Sequence, residues 1–112
     1  MTLSEQKDGA VFVLGLKGKI DTEGARAFAE RIVQILDAGE QNILLDFTEV
    51  PYINSSGLHA LILVAKRLTI SGGTLILAGV CEPVHKALRI SGLAPILMIQ
   101  PTRADALAAF LE

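Results

Sequence analysis

Apolar positions along this chain follow two spacings, one typical of buried strands and one of amphipathic helices. Nearly continuous apolar runs, which predict strands covered on both faces, occupy residues 43–47 and 74–78, and residues 96–99 predict a short last strand. Apolar residues at helical spacing predict helices over residues 22–37, 56–70, 82–91 and 102–110. Because helices and strands alternate, the pattern indicates a largely parallel sheet with right-handed crossovers.

The N-terminal part of the chain has a different pattern. Asp8-Gly9 is a strong turn signal between two short segments, residues 2–7 and 10–16, and predicts a β-hairpin. Asp21 or Thr22 is expected to cap the first helix. Residues 1–112 contain no linker, repeat or low-complexity segment, so we expect a single α/β domain. Its mixed, mostly parallel sheet should have about five strands, with the hairpin first, and about four α-helices.

Composition and charge exclude several classes of protein. Hydrophobic residues make up 51% of the chain and aromatic residues only 4%, so the core should be aliphatic. A net charge of -2 argues against nucleic-acid binding, which needs a basic face. No apolar run approaches the roughly 20 residues that span a bilayer, and residues 1–8 do not resemble a signal peptide. Cys81 is the single cysteine and has no nearby metal ligands, so we expect a cytoplasmic protein without metal or cofactor.

The segment from residue 45 to residue 58 is the most informative part of the sequence. An apolar strand ends in a short turn, which brings Ser55 and Ser56 to the start of a long apolar helix. A hydroxyl in that position can cap the helix, and it can equally carry a phosphate beside unpaired backbone N–H groups. Gly57 is unusual at a helix start and suggests that some group approaches the backbone closely there. The residues alone favour capping and do not distinguish the two serines.

The helix after the serines has apolar residues on more than one side. The face expected to pack on the sheet consists of Leu58, Leu61, Ile62, Ala65 and Leu68. Leu63 and Val64, flanked by Ala60 and Arg67, form a further apolar patch near Ser56. Such a patch beside a modifiable hydroxyl predicts a docking surface for another protein. In the alternative interpretation, the curvature of the sheet buries this face as well.

Residues 46–58, with Gly18-Lys19-Ile20-Asp21 before them, resemble the STAS domain, in particular the bacterial anti-sigma factor antagonists. The resemblance covers essentially the whole chain and implies a signalling protein that is not an enzyme. In that family a GHKL-type serine kinase, itself the anti-sigma factor, phosphorylates the second serine of the pair, and a PP2C-type phosphatase reverses the reaction. The phosphorylation site would then be Ser56. Asn54 departs from the family, which usually has aspartate there, and this weakens the case for kinase recognition.

The resemblance also implies which residues bind the partner. The unmodified protein would bind the kinase through the loop before the first helix, the serine turn and the outer face of the second helix. The predicted binding residues are Asp21, Thr22, Asn54, Ser55, Ser56, Gly57, Ala60, Leu63, Val64 and Arg67. Phosphorylation of Ser56 would place nearly two negative charges inside this contact and release the partner.

Two other functions remain open. The chain could be a STAS subunit of a membrane transport complex, such as a lipid-exporting ATPase, with the same helix face as a structural contact and no phosphorylation. Asn54 slightly favours this alternative, whereas the intact Ser-Ser-Gly-Leu sequence favours the switch. A serine hydrolase would use His59 as base for Ser56, but the chain has no G-x-S-x-G motif and no obvious acid to orient the ring.

Overall fold

The computed structural model describes residues 1–111, which form one five-stranded sheet with four helices. The strands, in the order β1-β2-β3-β4-β5 across the sheet, are β1 (Thr2–Asp8), β2 (Val11–Lys17), β3 (Asn42–Glu49), β4 (Thr74–Ala78) and β5 (Met98–Gln100). The helices are α1 (Thr22–Asp37), α2 (Ser55–Ser71), α3 (Glu82–Ile90) and α4 (Arg103–Ala109), with a 3-10 turn at Ala94–Ile96. Only β1 is antiparallel to its neighbour, which confirms the predicted mixed, mostly parallel α/β fold.

The predicted hairpin is present, and its turn lies one residue later than expected. Asp8 pairs with Val11, so the two turn residues are Gly9 and Ala10. Gly9 has φ of 59°, a left-handed conformation that glycine adopts without steric cost. β1 is an edge strand with mostly polar, exposed residues, which disfavours pairing with another chain.

The two faces of the sheet are covered by different helices. Leu14, Leu45 and Phe47 pack in a core with residues of α1, α2 and α3. Leu44 and Ile76 point to the opposite face, where they pack against α4. Successive residues of β3, such as Leu44 and Leu45, are therefore buried on opposite faces of the sheet. This explains why the strand is apolar without alternation.

The burial of α2 corrects one expectation from the sequence. Val64 is 0% exposed and Ala60 only 6%, so the prediction that both lie on an exposed apolar patch is wrong. α1 packs alongside α2, and it covers the face that the sheet does not reach. The fully buried stripe runs through Leu61, Val64 and Leu68, whereas Leu58, Ile62 and Ala65 are only half-buried. Leu63 alone keeps the predicted exposure, at 39%.

Within residues 1–111, no helix is both long and apolar enough to cross a bilayer.

Candidate functional site at the serine turn

The loops that lead into α1 and α2 are joined side by side. Ile20 and Ile53 form an isolated parallel bridge beyond the ends of β2 and β3. The Ile20 N–H donates to the carbonyl oxygen of Tyr52 at 2.9 Å, and the Asn54 N–H donates to that of Ile20 at 3.0 Å. The bridge places the N-termini of the two helices next to each other, at the carboxyl ends of neighbouring parallel strands.

Each of these helices is capped by the residue just before it. Asn54 Oδ1 accepts a hydrogen bond from the Gly57 N–H at 3.0 Å, and Asp21 Oδ1 accepts one from the Gly24 N–H at 2.8 Å. The expectation that Ser55 or Ser56 caps α2 is therefore wrong, whereas Asp21 caps α1 as one of the two predicted candidates. The backbone at Asn54 is extended and its side chain reaches the third helical residue, the usual N-cap geometry.

Asn54 also connects the two helix ends through its amide. Its Nδ2 donates to the Thr22 hydroxyl oxygen at 3.3 Å. An asparagine both accepts through its oxygen and donates through its nitrogen, so it satisfies the α2 cap and the α1 contact together. Asn54 therefore preserves the cap that an aspartate would make and adds a donor that an ionised aspartate lacks.

Because Asn54 makes the cap, the two serine hydroxyls are not used in that role. Both serines lie in the first turn of α2, where Ser55 is exposed and Ser56 is half-buried. No hydrogen bond joins either hydroxyl to another residue in the range 1–111. The Ser56 hydroxyl is thus not used in capping α2.

A shallow groove of about 360 Å³ lies between α1 and α2 beside Ser56. Its lining residues are Thr22, Ala25, Arg26, Ala29, Ser56, His59, Ala60 and Leu63. Arg26 was not among the residues predicted from the sequence. One signal was available, since Arg26 lies four residues after Thr22 and therefore on the same side of α1. Ala25, Ala29 and Ala60 are among the lining residues, and Arg26 is the one arginine, lysine, aspartate or glutamate in this set.

The structure brings most of the predicted binding residues together and separates two of them. Thr22, Ser56, Ala60 and Leu63 line the groove, and Asn54 is hydrogen-bonded to Thr22. Val64 points into the core. Arg67 lies about three turns along α2 from Ser56, where it pairs with Asp37 at the end of α1 at 2.8 Å. Val64 and Arg67 therefore support the packing of α1 on α2 and do not contribute to the groove.

Gly57 is required by close packing inside the chain. A Cβ atom at this position would lie 2.6 Å from Cγ1 of Ile53 and 2.7 Å from Cγ2 of Ile20. The inference that some group approaches the backbone closely here is correct, and the approaching groups are the two bridge residues. The first turn of α2 thus packs directly on the bridge.

His59 and Cys81 are other side chains near the two helix starts and α3 that could take part in chemistry. His59 lies on the groove, but no carboxylate within residues 1–111 is hydrogen-bonded to its ring. Cys81 precedes α3 and donates its thiol hydrogen to the carbonyl oxygen of Val50 at 3.3 Å, which fits a structural role.

A second polar cluster, on the opposite face of the sheet, was not predicted. Asp46 of β3 accepts hydrogen bonds from the Thr48 hydroxyl at 2.5 Å and from Arg103 Nε at 2.8 Å. Partial burial by itself would raise the pKa of Asp46, but the hydrogen bonds from Thr48 and Arg103 outweigh it and lower that pKa below its ordinary value. The sequence feature that could have indicated this cluster is Asp46 itself, a charged residue within an apolar strand. This ion pair joins α4 to the sheet.

Comparison with known proteins gives a consistent result. The STAS domain family model matches residues 3–106. A protein of Bordetella bronchiseptica named as an anti-sigma factor antagonist, BtrV, is 31% identical over 110 residues, which cover 98% of this chain and 95% of that protein.

Solved structures agree with the fold. An anti-sigma factor antagonist from Thermotoga maritima superimposes with a TM-score of 0.94 at 23% identity, covering 98% of this chain and 95% of that one. The anti-sigma factor antagonist SpoIIAA, in its unphosphorylated form, superimposes with a TM-score of 0.85 at 21% identity, covering 98% and 96% of the two chains. The family match extends over nearly the whole chain, so this protein belongs to the STAS domain family and, within it, to the anti-sigma factor antagonists.

Proposed function

We propose that this protein is a binding module switched by phosphorylation of Ser56. Without the phosphate it binds and sequesters a GHKL-type serine kinase that is itself an anti-sigma factor. The kinase phosphorylates Ser56 and is released, and a PP2C-type phosphatase restores the binding form. One observation carries the proposal: Asn54 makes the α2 cap, which leaves the Ser56 hydroxyl unused at the edge of an open groove.

Ser56 is a better candidate than Ser55 on both sequence and geometry. It is the second serine of the pair, the position phosphorylated in the family that the sequence resembles. It also lines the groove between α1 and α2, whereas Ser55 does not. A phosphate on Ser56 would therefore occupy the surface that a partner must contact.

The energetic requirement for such a switch is small. A phosphate adds nearly two negative charges and three acceptor oxygens, which a docked partner would have to desolvate or repel. A penalty of about 1–3 kcal/mol weakens binding roughly five- to 150-fold. The chain itself tolerates the phosphate, because the N-terminus of α2 has a favourable dipole and no acidic residue in its first turn. Release therefore needs no unfolding.

The proposed partner surface follows from the burial of these residues. Asp21, Thr22 and Ser55 are exposed around the groove, and Leu63 adds an accessible apolar side chain. The groove is small and its lining is largely apolar, with polar residues such as Thr22 and Ser56 at its edge, and its small size is as expected for a transient signalling contact.

Phosphorylation of defined variants tests the proposal. The purified protein is incubated with ATP and a candidate GHKL-type kinase, and the serine-turn peptide is examined by mass spectrometry. The parent and Ser55→Ala should gain one phosphate at residue 56, and Ser56→Ala should gain none. Phosphorylation of Ser56→Ala at the same peptide would contradict the assignment. In a binding assay Ser56→Ala should keep its affinity, whereas Ser56→Asp should bind more weakly.

A subunit of a membrane transport complex is the second candidate, and Asn54 in place of the family's usual aspartate is the observation that favours it. In that case the same surface would be a permanent contact. Ser56→Ala and Ser56→Asp would then bind the ATPase–permease complex with equal affinity, which separates this function from the switch.

A further inference from the structure

Arg26 differs from the other arginines of this chain. Arg31, Arg67, Arg89 and Arg103 each form an ion pair with a carboxylate. Arg26 has no carboxylate oxygen within 4.0 Å in the part of the chain that the structure describes. Its two acidic neighbours on α1, Glu23 and Glu30, have the spacing for helical ion pairs but do not make them.

Arg26 and Ser56 line the same groove. The Arg26 side chain lines it from α1, and Ser56 and His59 line it from α2. The serine hydroxyl and the guanidinium thus share one open space between the helices, which the small side chains of Ala25, Ala29 and Ala60 also line. A guanidinium presents a planar fork of N–H donors that matches two oxygens of a phosphate.

We propose that Arg26 is the receptor within this chain for the phosphate on Ser56. This inference rests on the proposed phosphorylation of Ser56. The guanidinium binds the phosphate oxygens across the groove, so that modification links α2 to α1 and closes the groove mouth. The partner is then released for two reasons: the groove is occupied, and the Arg26 cation is no longer available to an acidic group of the partner.

A carboxylate at position 56 should imitate the phosphate poorly. Aspartate is shorter than phosphoserine, carries one charge instead of nearly two and offers two oxygens instead of three. Ser56→Asp should therefore weaken partner binding by a smaller factor than phosphorylation does.

The test uses the full chain with phosphoserine incorporated at position 56 during translation, so that no kinase is needed. The second pKa of the phosphate, about 6 for a free phosphoserine, is followed by ³¹P NMR. Arg26 should hold this pKa about one unit lower in the parent than in Arg26→Gln, since an adjacent cation favours the dianion. Arg26→Lys, which keeps the charge but not the fork, should lie between them.

Arg89→Gln is the matched control, because Arg89 lies on α3 and pairs with Glu82 away from the groove. It should leave the phosphate pKa unchanged. An equal pKa in the parent and in Arg26→Gln would overturn the proposal and would indicate that only the α2 N-terminus receives the phosphate. That result would not affect the assignment of Ser56, which the kinase reaction of Ser56→Ala tests separately.

Discussion

The first turns of α1 and α2 are built in the same way and differ in charge at the capping residue and at the third residue. Residues 21–24 and 54–57 each consist of a capping side chain, a hydroxyl residue, a variable residue and a buried glycine. In both, the cap accepts a hydrogen bond from the glycine N–H. The bridge between Ile20 and Ile53 holds the two turns side by side.

The variable residue is Glu23 in α1 and Ser56 in α2. Glu23 supplies a permanent carboxylate near the positive end of the α1 dipole, whereas the first turn of α2 has no acidic residue. A phosphate on Ser56 would give α2 the negative charge that α1 always carries. The serine turn is thus a capped helix start whose first turn, unlike that of α1, has no acidic residue.

The largest effect is expected from filling the close contact under the serine turn. Gly57→Ala places a Cβ against two buried isoleucines, and overpacking of this kind costs about 1–3 kcal/mol. The better helix propensity of alanine offsets up to about 1 kcal/mol of that cost. Urea denaturation should therefore show a clear net loss of stability.

The control for this substitution is Ser55→Ala in the same turn, which should change the free energy of unfolding by less than about 0.5 kcal/mol. If Gly57→Ala were as stable as the parent, Ile20 and Ile53 would have to move apart at no cost, and the two turns would be less tightly joined than the structure indicates.

The next effect concerns the caps. Asn54→Ala and Asp21→Ala should each lower the free energy of unfolding by about 1 kcal/mol, since each removes the acceptor for one helix N–H. Equilibrium urea denaturation of both variants measures the two losses. If Asn54→Ala left the free energy of unfolding unchanged, a serine hydroxyl would have to replace Asn54 as the cap. The two turns would then differ in their capping as well as in charge.

The smallest effect tests the charge difference directly. Glu23→Gln should destabilise the protein and Ser56→Glu should stabilise it, each by about 0.3–1 kcal/mol, because the carboxylate interacts with the helix dipole. Both differences should shrink at high salt. Ser56→Gln separates the effect of the charge from the effect of side-chain size. Thermal denaturation of the variants at two salt concentrations measures these differences in stability. If Ser56→Glu and Ser56→Gln were equally stable, the first turn of α2 would not favour a negative charge.

Much of the fold could be read from the apolar pattern. Runs without alternation identified the buried strands because both faces of β3 and β4 are covered. Asp8-Gly9 located the hairpin to within one residue. The pattern on α2 was misread because hydropathy shows that a residue prefers burial but not which element buries it. Val64 is covered by a helix that lies far from it in sequence.

The candidate site was predicted only in part. Thr22 and Ser56 were predicted together and line the same groove. The assignment of the α2 cap could not be made, since Asn54, Ser55 and Ser56 are all good capping residues. The bridge between Ile20 and Ile53 selects Asn54, because it sets the point at which the chain turns into the helix.

The sequence by itself determined the α/β class, the hairpin and the presence of a serine pair at a helix start, because these depend on local spacing and on residue chemistry. Only the tertiary structure decided that the Ser56 hydroxyl is free and that Arg26 shares its groove. Those facts depend on how α1 and α2 are placed against each other, and that placement follows from packing on a common sheet between residues distant in the chain.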